Sequence, residues 1–429
     1  MIGARRLRWP SCMAFIALPL WVAGCRTPAA TSLPKFGTTG RIVAVAAIDD
    51  VNRPHNVALA VRPLAADAGE PDFAALWEAD SEISDWLPSP DGRRTMYREV
   101  WHYVPKTEAL VVRDLTAGAV PRYAVMGEPE LSRLSGQVWS PDGTSVAYGV
   151  QAGDVVAFSG AGGTRRWEMR TVTLAGTPST AASPAPTSTL SIAPGADRRL
   201  FALDGASLGT DVYTLLAWSP AASRAALLEA PGGGGTGSSA VRVYDTTDGH
   251  LVRRVAPGGD DPLVAASPDG RWVAWLDASA GVGLIAVADG AWQRLSDVNA
   301  DPTVAGTPFA LAWSHDAQRL GWAVAWPEDR HTADFGRSVT AFSKGVRGWP
   351  WTVGVRQASM RVESEDGGLG MLALAPDGSA ALLTGVNSLG QAVARVAPLR
   401  RGGGRTMIEH SISSTRTLDG RPWAVGWWP

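Results

Sequence analysis

The sequence predicts an all-β chain folded as a β-propeller of seven four-stranded blades, with six or eight blades as the alternatives. Three observations carry that prediction. A Ser-Pro-Asp-Gly phrase returns at intervals of about one blade, a short apolar run precedes each copy while an alternating run follows it, and the composition breaks helices. The 429 residues include 48 Gly, 30 Pro and 19 Trp, with 45% hydrophobic and 19% charged side chains. Gly and Pro in such numbers interrupt long helices and favour short strands joined by turns. Nineteen indoles need flat buried surfaces, and stacked sheets supply them.

The copies are "DWLPSPDGRRTMY" from Asp85, "QVWSPDGTSVAY" from Gln137, "LAWSPAASRAALL" from Leu216, "VAASPDGRWVAWL" from Val264, "LAWSHDAQRLGWAV" from Leu311 and "LALAPDGSAALL" from Leu372. The closing "AVGWWP" is the front half of a seventh. Aligned on Pro90, Pro141, Pro220, Pro268, His315, Pro376 and Pro429, the spacings are 51, 79, 48, 47, 61 and 53 residues. Pro at the second turn position presets φ, and Gly accepts the left-handed conformation that closes a tight hairpin. Ser and Asp side chains bond to nearby backbone N–H groups. Two copies depart from the phrase: Ala221-Ala222 and Asp316-Ala317 stand where Asp-Gly is usual, which puts the tight turn in doubt there.

One unit parses into four strands: Leu263–Ala266, Arg271–Ala278, Val282–Asp289 and Ala291–Asp297, from the inside outward. The unit from Leu372 parses alike, with "SAALLTGV", "QAVARVAPL" and "RTMIEHSIS" as its outer strands. The two ends complement each other. Arg41–Asp49, Asn56–Leu64 and Phe73–Asp80 are three strands lacking an inner partner, and the chain finishes on an inner strand lacking outer ones. Pairing them closes the ring and removes exposed edges. Within the 79-residue interval, Leu190–Gly205 resembles a further copy, read as an insertion or as the remnant of an eighth blade.

These tandem units resemble the TolB-like propeller repeats, which occur in periplasmic proteins, in the propellers of prolyl-oligopeptidase-type enzymes and in propeller-bearing bacterial lipoproteins. Val138–Tyr148 matches best, and the resemblance covers nearly all of residues 41–429. It implies fold rather than function, because propellers host unrelated activities. No segment resembles the separate N-terminal domain of the periplasmic branch, so that branch's partners are not implied.

The N-terminus reads as an address. Arg5, Arg6 and Arg8 precede the apolar "SCMAFIALPLWVAG", too short for a comfortable membrane span, and "VAGC" resembles a bacterial lipobox. The resemblance implies a signal peptide over residues 1–24, cleavage before Cys25 and acylation of Cys25, several acyl chains giving a stable membrane anchor. An ordinary signal peptide with an incidental Cys is the alternative. Arg26 follows the Cys, not the Asp that marks inner-membrane retention in enteric bacteria, and Arg5-Arg6 is only a weak twin-arginine signal. Residues 25–40 read as a flexible tether and 41–429 as the propeller. Residues 1–24 hold three Arg and no acids, so cleavage leaves 36 basic against 41 acidic residues, net −5. That balance argues against nucleic acid as a partner. Cys12 and Cys25 are the only cysteines, so no disulfide framework or thiolate metal site is expected.

Chemistry is sparse. No α/β segment remains for a hydrolase domain, and Pro231–Ser239 lacks the Lys-Ser/Thr of a phosphate loop. The box of sialidase-type propellers is not matched. His55, His102, His250, His315, His331 and His410 lack metal-ligand spacing, Asp329 with His331 being the nearest approach. The connections between second and third strands lie on the rim opposite the Ser-Pro-Asp-Gly turns. Several read as long loops: Val100–Glu108, the segment from Gln151, Pro231–Ser239 and, longest, Pro327–Trp351. Asp329, Arg330, His331, Trp349 and Trp351 on the last are the candidate binding residues, and deletion of Asp329–Lys344 is expected to spare folding but abolish partner capture. The leading expectation is a non-enzymatic, monomeric envelope lipoprotein facing the periplasm or extracytoplasmic side, with protein or peptide partners and no cofactor or catalytic residues. The alternatives are a lactonase- or lyase-like enzyme with a channel metal, and a carbohydrate-binding module presenting the Trp residues of "RGWPW".

Overall fold

The computed structural model describes residues 41–50, 53–62, 74–79, 82–101, 107–115, 122–126, 132–152, 166–174, 197–204, 212–231, 238–258, 262–277, 281–296, 307–326, 336–345, 356–363, 369–375, 380–386, 392–398, 400–401 and 422–428. The described strands are, in order, β1 (Arg41–Asp50), β2 (Arg53–Arg62) and β3 (Ala74–Ala79); then β4 (Glu82–Pro88), β5 (Arg94–Trp101), β6 (Thr107–Asp114) and β7 (Arg122–Met126). Next come β8 (Ser132–Trp139), β9 (Ser145–Ala152), β10 (Arg166–Thr173) and β11 (Asp197–Asp204); β12 (Val212–Ser219), β13 (Arg224–Ala230), β14 (Ala240–Asp245) and β15 (Leu251–Val255). They are followed by β16 (Leu263–Ala266), β17 (Trp272–Asp277), β18 (Gly281–Ala286) and β19 (Trp292–Ser296); β20 (Thr307–Trp313), β21 (Arg319–Trp326), β22 (Gly336–Gly345) and β23 (Arg356–Glu363). The last are β24 (Leu369–Leu374), β25 (Ala380–Val386), β26 (Ala392–Pro398), β27 (Arg400–Arg401) and β28 (Pro422–Trp428).

Four sheets between Glu82 and Ser296 run in strict sequence order: β4 to β7, β8 to β11, β12 to β15 and β16 to β19, every pair antiparallel. The strands β20 to β23 with β27, β24 to β26, and β28 with β1 to β3 form the remaining sheets among the described residues. In the last of these, Arg41 lies opposite Trp428 and Val45 opposite Ala424, so the C-terminal strand supplies the inner partner that the N-terminal strands lack.

Each of the four sheets between Glu82 and Ser296 buries both faces, because alternate residues of a strand point to opposite sides. On β17, Val273 and Trp275 pack with Val241, Val243 and Val255 of the preceding sheet. Ala274 and Leu276 pack with Leu320, Trp322 and Val324 of the following one. The same arrangement seats Trp167, Met169 and Phe201 against Tyr213, Leu215 and Tyr244, and Leu110 and Val112 against Val146 and Tyr148. Sheets stacked face to face in sequence order make this an all-β propeller.

Three of the inner strands share an irregularity that β16 lacks. β4 bulges between Ser84 and Leu87, β8 between Leu134 and Gln137, and β12 between Leu215 and Ala217. Asp85 (φ 53°) and Gly136 (φ 81°) occupy the corresponding left-handed position. A Cβ at Gly136 would lie 2.3 Å from the Leu215 carbonyl oxygen, so the next sheet approaches to backbone contact there. Side chains from adjacent sheets satisfy inner-strand carbonyls. Trp139 Nε1–H donates to the Leu87 oxygen (3.1 Å), Gln137 Nε2–H to that of Asp85 (2.7 Å) and Trp313 Nε1–H to that of Ala265 (3.0 Å). Trp139 and Trp313, each just before a turn, therefore stitch their strands to the previous sheet, a role for the indole N–H as well as its ring.

Three sequence readings change. Within Leu190–Gly205, Asp197–Asp204 is no remnant of an extra blade: it is β11, the outermost strand of the sheet that Trp139 opens, with Trp167 opposite Leu203 and Val172 opposite Asp197, and the rest of that segment lies outside the described residues. The long interval arises within that sheet, on either side of β10 and β11. Val100–Glu108 is no long loop, because pairing runs to Trp101 opposite Thr107 and leaves five residues between. Nor is Pro327–Trp351 a single loop, since Gly336–Gly345 is β22, paired with both β21 and β23. Deleting Asp329–Lys344 would remove a central strand, so it cannot spare folding. The fourth strand expected at "RTMIEHSIS" lies outside the described residues.

Candidate functional site

The site begins with the turns. In the one between β8 and β9, Ser140 Oγ–H donates to Asp142 Oδ1 (2.6 Å), and Ser145 N–H donates back to Ser140 Oγ (2.9 Å). Thr144 N–H reaches Asp142 Oδ1 at 3.0 Å, and Gly143 N–H closes the turn on the Ser140 carbonyl. The turns at Ser89, Ser267 and Ser314 repeat this network with Asp91, Asp269 and Asp316. Each Ser is buried and bonded, so the phrase forms a small self-contained polar unit. The hydrogen bond from Ser140, then the Thr144 N–H, holds the Asp142 carboxyl below the usual Asp range, and it stays ionised at neutral pH.

The Ser219 turn differs. Without Asp or Gly, Pro220–Ala222 forms one 3-10 turn, and the left-handed residue becomes Ser223 (φ 52°), whose N–H bonds to the Pro220 carbonyl. Ser219 makes no capping bond. At the Asp316-Ala317 copy the standard turn survives, with Ala317 forced to φ 56° in the glycine position.

Three of these turns enclose a groove of about 870 Å³. Pro141 and Asp142 form one wall, Pro220, Ala221 and Ala222 the middle, and Arg271 and Trp272 the far wall. Pro141, Pro220 and Ala221 are exposed, and Trp272 is half-buried. Arg271 is paired with Asp269 (2.6 Å). Asp142 Oδ2 has no hydrogen-bond partner among the described residues. The groove is thus mostly apolar, with one ion pair closed on itself and one carboxylate oxygen open.

A second cavity, about 460 Å³, runs along the inner strands β4, β8, β12 and β16. Asp85 is its only acid among the described residues, and Arg98 holds it at 3.0 Å. His315 Nε2 bonds to the Pro90 carbonyl, tying together two turns 225 residues apart. Among the described residues, Asp245, Asp248 and His250 are the one group with metal-ligating potential. They sit in the turn between β14 and β15, where the acids bond to Thr247 and His250 of that same turn.

Cys25, Asp329, Arg330, His331, Trp349 and Trp351 lie outside the described residues. The groove lies on the rim of the Ser-Pro-Asp-Gly turns, the opposite rim from the one favoured by loop length. Its signal in the sequence was Ala221-Ala222, visible as a departure from the repeat but not as a groove wall.

No family model and no curated protein matches the chain. Similar solved structures include TolB from Acinetobacter baumannii, with 13% identity and a TM-score of 0.40 over 90% of this chain and 66% of that one. The chain thus spans slightly under two thirds of that structure's length. The C-terminal WD40 domain of Sif2 is similar over 85% of this chain and 93% of that one, with 13% identity and a TM-score of 0.45. A chain of the mitotic checkpoint complex gives 14%, 0.40, 92% and 99% for the same four quantities in the order identity, TM-score, this chain, that chain. The likeness concerns fold alone: this is an all-β propeller with neighbours of both the TolB and the WD40 kind.

Proposed function

We propose that this chain is an envelope lipoprotein, anchored through acyl chains on Cys25, whose monomeric propeller binds protein or peptide partners and does no chemistry of its own. The observation that carries the binding role is the apolar groove spanning three turns on one rim. An open apolar channel with a few placed polar groups is what a peptide ligand needs. The anchor rests on the basic start, the apolar run and "VAGC".

The body is a closed ring of seven blades. Seven sheets and the pairing of β28 with β1 support that count. Removing residues 422–429 takes away all of β28 and leaves β1 an open edge, so the trimmed chain should melt broadly. Melting as sharp and as high as that of the intact chain would refute closure. The anchor is tested by feeding cells an alkyne fatty acid: the wild type should be labelled and sediment with membranes, and Cys25→Ala should be neither. Binding is tested by in-cell crosslinking, where recovery of no partner would count against the scaffold role.

A further inference from the structure

The groove's chemistry narrows what it can hold, and this step rests on the binding role proposed above. Its backbone is a poor template for a strand. Pro141 and Pro220 have no N–H, and the turn N–H groups of Gly143, Thr144, Ser223, Gly270 and Arg271 are all spent inside their own turns. These five N–H groups therefore offer no main-chain hydrogen bonds to a segment seated here. Polyproline-II segments need none, since their backbone stays solvated, and they dock on aromatic and proline surfaces such as Trp272 and Pro220. Ala221 and Ala222 keep the middle of the groove low where the repeat would place an Asp side chain.

Charge then selects among such segments. Arg271 is neutralised by Asp269, while Asp142 offers a free carboxylate oxygen on the opposite wall. We infer that the groove takes an extended proline-rich segment of a partner protein carrying one Lys or Arg, its cation on Asp142 and its prolines over Ala221, Ala222 and Trp272. An acidic side chain at the same place would face Asp142 and be repelled.

The test uses the full-length chain in detergent and two fluorescent probe peptides, Ala-Pro-Pro-Arg-Pro-Pro-Ala and its Glu twin, read by anisotropy. The Arg probe should bind at least about tenfold tighter than the Glu probe, and added salt should narrow the gap. Asp142→Asn keeps an acceptor for Ser140 and Thr144 but removes the charge, so it should erase the preference. Ala221→Arg, at an exposed position, should abolish binding with the circular dichroism spectrum unchanged. Equal binding of both probes, no binding of the Arg probe, or full binding by either variant would overturn the inference. A photocrosslinker at Ala221 and another at exposed Val212, on the opposite rim, separate this failure from that of the binding role. Capture at Val212 but not Ala221 removes the groove and leaves the scaffold; capture at neither removes both.

Discussion

The Ser140 and Ser219 turns join inner to second strands in adjacent sheets, with the same register. Trp139 lies opposite Val146 and Trp218 opposite Ala225, seven residues apart in each case. One is closed by a Ser–Asp network around a left-handed Gly143, the other by a bare 3-10 turn with Ser223 left-handed. The hairpin is therefore set by the strands it joins and by packing between sheets. The side-chain network refines the turn without dictating it. Where that network is missing, the turn carries methyl groups in place of a carboxylate, and the groove gains its apolar middle.

The largest effect should come from the glycines, which make one residue in one phrase behave differently in two sheets. A Cβ at Gly270 would lie 2.2 Å from the Trp218 carbonyl oxygen, whereas at Gly143 it would meet nothing closer than 3.7 Å. Both have φ 67°. Gly270→Ala should cost about 3 kcal/mol or more in chemical denaturation, combining strain with backbone displacement. Gly143→Ala should cost about 1 kcal/mol, the strain alone. Equal costs would show that the sheets do not meet at Gly270.

Removing the network is next. Ser140→Ala strips a partner from the Ser145 N–H and from Asp142, and should lower stability by about 1–2 kcal/mol. Ser219→Ala should change it by less than about 0.5 kcal/mol, because no capping bond is lost. The reverse change sharpens the contrast: Ala317→Gly relieves a left-handed Ala and should raise stability by about 1 kcal/mol, seen as a higher denaturation midpoint with an unchanged slope.

The smallest effect is protonation. Asp142 has a folded pKa below the ordinary 3.8, so its contribution is present above 3.8 and fades as pH falls through the lower folded value. The Thr144 amide resonance should titrate with a midpoint below 3.8, while that of Ser223, bonded to a backbone carbonyl, should not move. Buried Glu229 follows the same sign. Burial raises its pKa, but Arg242 and Arg254 (2.5 Å to the latter) overcome that and lower it. Acid should therefore destabilise the fold below about pH 4.5, and less so in Glu229→Gln.

Much of the fold was legible in the residues. Leu263–Ala266 is a strand with those bounds, and the complementary ends do pair, Arg41 opposite Trp428. The outer strand at Asp197 was misread because its Ala-Pro-Gly-Ala mimics the turn phrase, and only its pairing with β10 identifies it. Gly336–Gly345 was hidden among loop-like residues because β-propensity is weak evidence when neighbouring strands supply the hydrogen bonds. The site was less legible, since loop length pointed to one rim and the groove lies on the other.

By itself the sequence determined the repeat, the turn chemistry and the alternation of buried faces, since these depend on residues within a few positions of one another. The tertiary structure alone decided that Gly270 is pressed by Trp218 while Gly143 is free, and that Pro141, Ala221 and Trp272 share one groove. Those facts depend on how closely neighbouring sheets approach, and that distance follows from side chains packing between strands far apart in the chain.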